Sequence, residues 1–121
     1  MRFIAVALVS AALAACQSSA PTVGSFADAN ALHASLSKTM ETCWFSGDAA
    51  FAAYVYSPEI NAGTPRILVV PKGDPTALPL LVVETKGRSA IDFYGPLLVS
   101  ETGSRIRADL GRWSTGGTSC A

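Results

Sequence analysis

The chain has 121 residues, half of them hydrophobic and 15% charged, with nine basic and nine acidic side chains and no formal net charge. That length accommodates one small domain and is too short for two. The even charge balance excludes a strongly basic nucleic-acid binder and an acidic disordered tail, so no nucleic-acid partner is expected.

Residues 1–16 read MRFIAVALVSAALAAC. One positive charge, Arg2, precedes an apolar run from Phe3 to Leu13 that is broken only by Ser10. A helix needs roughly 20 apolar residues to cross ~30 Å of hydrocarbon, and this run is too short. A charged start, a short apolar stretch and small residues before a cut site predict a secretory signal peptide over residues 1–15. Leu13-Ala14-Ala15-Cys16 resembles the lipobox of bacterial lipoproteins. The resemblance is confined to the leader. It implies cleavage before Cys16, a diacylglycerol on Cys16 Sγ and, usually, an acylated new amine. Two or three acyl chains make a stable anchor where one does not. Under the sorting rule of enteric lipoproteins, Asp at position 17 implies retention at the inner membrane. Position 17 here is Gln, which implies the periplasmic face of the outer membrane. Removal of residues 1–15 takes away a single charged side chain, Arg2, and leaves a net charge of −1.

The lipidated cysteine and a Ser/Pro/Gly-rich leash occupy residues 16–24. Fully extended, the leash reaches roughly 25–30 Å, which keeps the domain close to its membrane. Residues 25–121 are expected to form a single globular domain. Ser25 and Asp28 stand at the spacing of a capping box, with Asp in place of the usual Glu. Phe26, Ala29, Leu32, Leu36 and Met40 follow at steps of three and four, which predicts a helix that ends near residues 41–43. His33 falls at the edge of this stripe. Beyond Gly47 the period shifts towards two and turn residues punctuate the chain. Strands are predicted over residues 50–57, 66–70, 80–85, 89–94 with 97–100, and 105–113. The fold class is α+β, with one N-terminal helix packed on an antiparallel meander of about five strands.

A two-residue turn at Lys86-Gly87 pairs Val82 with Ile91, Leu80 with Phe93 and Glu84 with Ser89. A turn at Thr102-Gly103 pairs Val99 with Ile106 and Leu97 with Ala108. Both turns place Ile91, Phe93, Leu97 and Val99 on one core face. The opposite face would carry Leu81, Val83, Ala90, Tyr94 and Leu98, diluted by Arg88, Asp92, Arg105 and Arg107. One helix cannot cover both faces, so the candidate binding face is Leu81, Val83, Tyr94, Leu98, Arg105 and Arg107.

With Cys16 given to the lipid, Cys43 and Cys120 remain. An even remainder in an oxidising compartment predicts a disulfide that ties the tail to the end of the helix. Trp44 and Trp113 lie near the two half-cystines and should surround the bond. Tyr54, Tyr56 and Tyr94 are a candidate patch for a protein or a glycan. The lone His33 has no nucleophile and orienting acid set beside it by the sequence, and too few nitrogen and thiolate ligands remain for zinc. Glu84, turned towards the core side at a strand end, is best read as capping the sheet or pairing with a nearby base. No catalytic residue, metal or cofactor is expected. The sequence therefore points to a non-enzymatic, membrane-anchored envelope lipoprotein, a binding or structural module that contacts an envelope protein or a second copy of itself. A small periplasmic inhibitor of an enzyme such as lysozyme is the alternative, with a small hydrolase less favoured.

Overall fold

A computed structural model describes residues 26–60, 63–74 and 76–121. The signal peptide, Cys16, the leash and Ser25 lie outside the described residues. The fold is α+β, with helix α1 (Ala29–Cys43), four strands β1 (Tyr54–Glu59), β2 (Arg66–Pro71), β3 (Leu81–Thr85) and β4 (Ile91–Tyr94), and helix α2 (Gly103–Ser114). The strands form one antiparallel sheet in the order β1-β2-β3-β4.

The expected helical stripe is the buried face of α1, where Leu32, Leu36, Met40 and Cys43 are all enclosed. The helix starts at Ala29. Asp28 is its cap, with Oδ1 accepting the Ala31 N–H at 2.8 Å. A carboxylate there satisfies an orphan donor of the first turn and meets the positive end of the helix dipole. The expected first strand, residues 50–57, instead opens in a short 3-10 turn, Ala49–Phe51, capped by Asp48, and the extended run begins at Tyr54. Alanines at 49, 50, 52 and 53 favour the turn over the strand. β1 is an edge strand, which tolerates Pro58 and its missing N–H.

The hairpin between β3 and β4 corrects the expected register. Lys86 N–H donates to the Ala90 carbonyl at 2.8 Å, so the loop is the three residues Gly87-Arg88-Ser89. A loop of odd length sets odd residues against odd ones, whereas a two-residue turn sets even against odd. Val83 therefore faces Phe93 and Thr85 faces Ile91, while Val82 faces Tyr94. The core face comprises Tyr54 and Tyr56, Ile67 and Val69, Leu81 and Val83, and Ile91 and Phe93. Leu81 and Val83, expected on the open face, are both 0% exposed.

The last two expected strands are not strands. Pro96–Val99 is a 3-10 turn and residues 103–114 are helix α2, so there are two helices and four strands. Gly95 has φ +139°, and a Cβ there would collide with the Leu80 carbonyl. This glycine lets the chain leave the sheet against the start of β3, where Leu97 N–H donates to the Leu80 carbonyl at 3.0 Å. Pro96 then fixes the φ of the first turn position. Ile106, Asp109, Leu110 and Trp113 recur at helical spacing and are all buried. Thr102-Gly103, expected as a hairpin turn, is the start of this helix.

α1 packs on β2 and β3, and α2 packs on α1 and on the Pro96–Val99 turn. Both helices join one core with the odd residues of β2, β3 and β4. No described helix lies over the second face of the sheet. On that face Ser57, Leu68, Val82 and Tyr94 form one row across the four strands, and Glu59, Arg66, Glu84 and Asp92 form the next. Tyr94 is 50% exposed.

This assignment of faces is tested by a pair of lysine substitutions. Leu81→Lys places an ammonium in the core and should cost more than about 4 kcal/mol or prevent folding. Tyr94→Lys, beside Glu84 and Asp92, should stay within about 1 kcal/mol of the parent in urea denaturation.

Candidate functional site

A cleft of about 440 Å³ lies where the end of α1 meets β1. Its walls are largely aromatic. Trp44 and Phe51 form a buried floor, stacked at 4.6 Å between centroids and 7° between planes. Phe45 stacks on Tyr56 at 5.0 Å and meets Phe51 edge-on at 5.8 Å. Tyr54 lies two residues before Tyr56 on the same face of β1, so both rings line the cleft. Glu41, Asp48 and Lys72 supply the charges.

The floor is held from below by a charge network. Asp109 is 3% exposed, and its Oδ2 accepts the Trp44 indole N–H at 2.8 Å. Its Oδ1 accepts from Arg112 Nη2 at 2.6 Å, and Arg105 Nε lies 3.5 Å from Oδ2. Arg105 also pairs with Asp48 at 2.5 Å and sits over the Phe51 ring at 5.3 Å from its centroid. The hydrogen bond from Arg105, then that from the Ala50 backbone, holds the Asp48 carboxyl below its ordinary 3.8. At the mouth, burial first and the Glu41 carboxylate second raise the Tyr56 phenol above 10.0.

The disulfide closes the same end of the molecule. Cys43 and Cys120 are bonded with their Cα atoms 5.2 Å apart, as expected from the cysteine count. Trp44 follows Cys43 directly and lies 5.1 Å from Trp113, so the tryptophans and the bond occupy one region. The Ser119 carbonyl accepts from Trp113 Nε1 at 2.8 Å and from Arg112 Nε and Nη2 at 3.0 and 2.9 Å. These bonds fix the tail beside α2.

The expected binding face does not assemble. Leu81 and Val83 lie in the core, Leu98 packs partly against it from the 3-10 turn, and Arg105 is drawn into the ion pairs below the cleft. Arg107 is exposed on α2, and Tyr94 alone stays on the open sheet face. The tyrosines separate as well, with Tyr54 and Tyr56 at the cleft and Tyr94 on the opposite face. Glu84, expected on the core side, lies on the open face, where Lys86 bonds it at 3.0 Å and the Tyr94 hydroxyl donates to it at 3.2 Å. The Lys86 bond is the main cause that keeps the Glu84 carboxyl below its ordinary 4.5. His33 is buried and its Nε2 donates to the Arg66 carbonyl at 2.9 Å, tying α1 to β2. Among the described residues no cluster of three His, Cys, Asp or Glu is placed to hold a metal ion.

Glu41 and Lys72 reach the cleft only through the fold, one from α1 and one from the residue after β2. The close spacing of Phe45, Phe51, Tyr54 and Tyr56 was the one signal of the cleft in the sequence. No protein-family model, curated protein or solved structure matches the chain.

Asp109→Ala leaves the Trp44 indole N–H buried without an acceptor and two arginines without their shared partner, so it should destabilise the protein by about 3 kcal/mol in denaturant unfolding. A carboxyl whose folded pKa is depressed contributes stability above its unfolded pKa and loses it as pH falls through the folded one. Stability should therefore drop as pH is lowered from about 5 to 3, and Asp48→Asn should flatten that drop in pH-dependent unfolding curves.

Proposed function

We propose that the protein is a non-enzymatic lipoprotein of the bacterial envelope, anchored through Cys16 at the periplasmic face of the outer membrane, and that it binds an envelope protein partner across the open face of its sheet. The observation that carries this reading is Tyr94, 50% exposed beside the half-buried Leu68 and the buried Val82 in one row of a face with no described helix over it. The neighbouring row Glu59, Arg66, Glu84 and Asp92 is compensated by ion pairs, Arg66 to Glu59 at 2.6 Å and Lys86 to Glu84 at 3.0 Å and Asp92 at 3.9 Å. An apolar strip with a polar border matches the composition of protein interfaces, where an apolar centre is ringed by solvated charge.

The tether is compatible with this use. Phe26 joins the β3–β4 loop, its N–H donating to the Arg88 carbonyl at 3.1 Å and its carbonyl accepting from Arg88 Nε at 2.8 Å. The described chain therefore begins at one end of the sheet, beside the β3–β4 loop. No helix among the described residues is long and apolar enough to cross a membrane. The engagement of His33 with a backbone carbonyl gives further support to a binding role over a catalytic one.

Two measurements test the reading. Cys16→Ser should abolish incorporation of labelled palmitate, and unchanged labelling would overturn the anchor. A photo-crosslinking residue at position 94, in intact cells, should trap one dominant protein adduct, while the same residue at position 107 on α2 should trap none. Adducts at 107 without adducts at 94 would overturn the role of the open face.

A further inference from the structure

We propose that the aromatic cleft between α1 and β1 is a second binding site, separate from the open sheet face, and that its ligand is a neutral saccharide. The rings divide into used and unused surfaces. Trp44 and Phe51 are spent on each other and on the core, and Phe45 is spent on Tyr56. Among the described residues no other ring stacks on Tyr54, which lines the cleft half-buried. An aromatic ring carries negative charge on its face and positive charge on its edge. The C–H face of a pyranose carries the complementary weak positive charge and an apolar surface, so it fits an unstacked ring of this kind.

The charges argue for a ligand without net charge. Arg105 neutralises Asp48. Among the described residues Glu41 and Lys72 form no ion pair, and they flank the tyrosines from α1 and from the end of β2. Lys72 is fixed there by its N–H, which donates to the Ala53 carbonyl at 2.8 Å. The Glu41 carboxylate, which also faces the Tyr56 phenol, and the Lys72 ammonium cancel, so the cleft presents a strong acceptor, a strong donor and no net charge. A cation drawn to Glu41 would be repelled by Lys72, and an anion drawn to Lys72 would be repelled by Glu41. Sugar hydroxyls both donate and accept, and they use both groups. The volume lies within the ~300–1,000 Å³ typical of small-ligand sites.

The test uses the full-length protein in detergent and neutral tetrasaccharides of glucose and of N-acetylglucosamine, followed by tryptophan fluorescence and calorimetry. At least one tetrasaccharide should bind, with affinity that changes little between low and high salt. Tyr54→Ala and Lys72→Ala should each weaken binding roughly tenfold, the first by loss of stacking and the second by loss of a charge-assisted bond. Lys72 is exposed and unpaired, so its variant should keep the parent's unfolding midpoint even if Tyr54→Ala does not. Tyr94→Ala should leave sugar binding unchanged, which separates this site from the open face. Absence of binding by every tetrasaccharide, binding insensitive to Lys72→Ala, or salt-sensitive binding of a charged peptide at the cleft in place of the sugars would overturn the proposal.

Discussion

The buried carboxylate of Asp109 is the point on which the two helices, the tail and the cleft all depend. A carboxylate withdrawn from water is unfavourable unless its lone pairs are taken up. Asp109 has one oxygen on the Trp44 indole and the other on Arg112, with Arg105 close to the first. Trp44 is 65 positions away in sequence, so this bond forms only when α2 is seated against the end of α1. Once formed, it fixes the plane of the indole, and the indole sets the plane of Phe51 stacked on it. The floor of the cleft is therefore a consequence of satisfying one charge.

The same network recruits the last residues of the chain. Arg112 divides its donors between Asp109 and the Ser119 carbonyl, and Trp113 adds a third bond to that carbonyl. The tail is rich in Gly, Ser and Thr and has no regular structure of its own. Without partners its ordering would cost about 1–2 kcal/mol per residue in backbone entropy. The hydrogen bonds stabilise the folded tail, whereas the Cys43–Cys120 bond restricts the unfolded chain. For a separation of 77 residues the chain-entropy account gives about 4.5 kcal/mol, less any strain. The two devices act on different states and so reinforce each other.

What the sequence made legible was local. α1 could be read because its apolar positions repeat every three or four residues, and β2 and β3 because they are short apolar runs bounded by turn residues. The cysteine pairing followed from counting. The register of β3 and β4 was misread because one residue of loop length, Gly87-Arg88-Ser89 in place of Lys86-Gly87, exchanges the two faces of the sheet. That single parity error placed Leu81 and Val83 on the surface and turned Glu84 inward. α2 was missed because Arg105 and Arg107, two residues apart, imitate an alternating strand, while the helical spacing of Ile106, Leu110 and Trp113 is completed by an acid, Asp109. A buried acid at a core position conceals a helical stripe from any hydrophobic count. The aromatic residues of the cleft were visible, but Tyr94 was grouped with Tyr54 and Tyr56 because sequence alone does not tell which face of which edge strand each one joins.

The division into two surfaces follows from the topology. A meander without crossovers lets the preceding and following helices settle on the same side of the sheet, and the junction at Asp109 holds them there together. The opposite side then has to remain soluble without a cover. It does so with a charged row, in which Arg66 pairs with Glu59 and Lys86 with Glu84 and Asp92, beside a narrow row in which Tyr94 is exposed and Val82 buried. Because those charges are already compensated, a partner gains little from meeting them and gains chiefly from the strip, so the charged row sets orientation more than affinity. The cleft works by the reverse arrangement. Its aromatic floor is satisfied internally, and Glu41 and Lys72 stand at its rim without an ion pair. In the two readings proposed above, the sheet face and the cleft select different chemistries, so their ligands would not compete for the same surface.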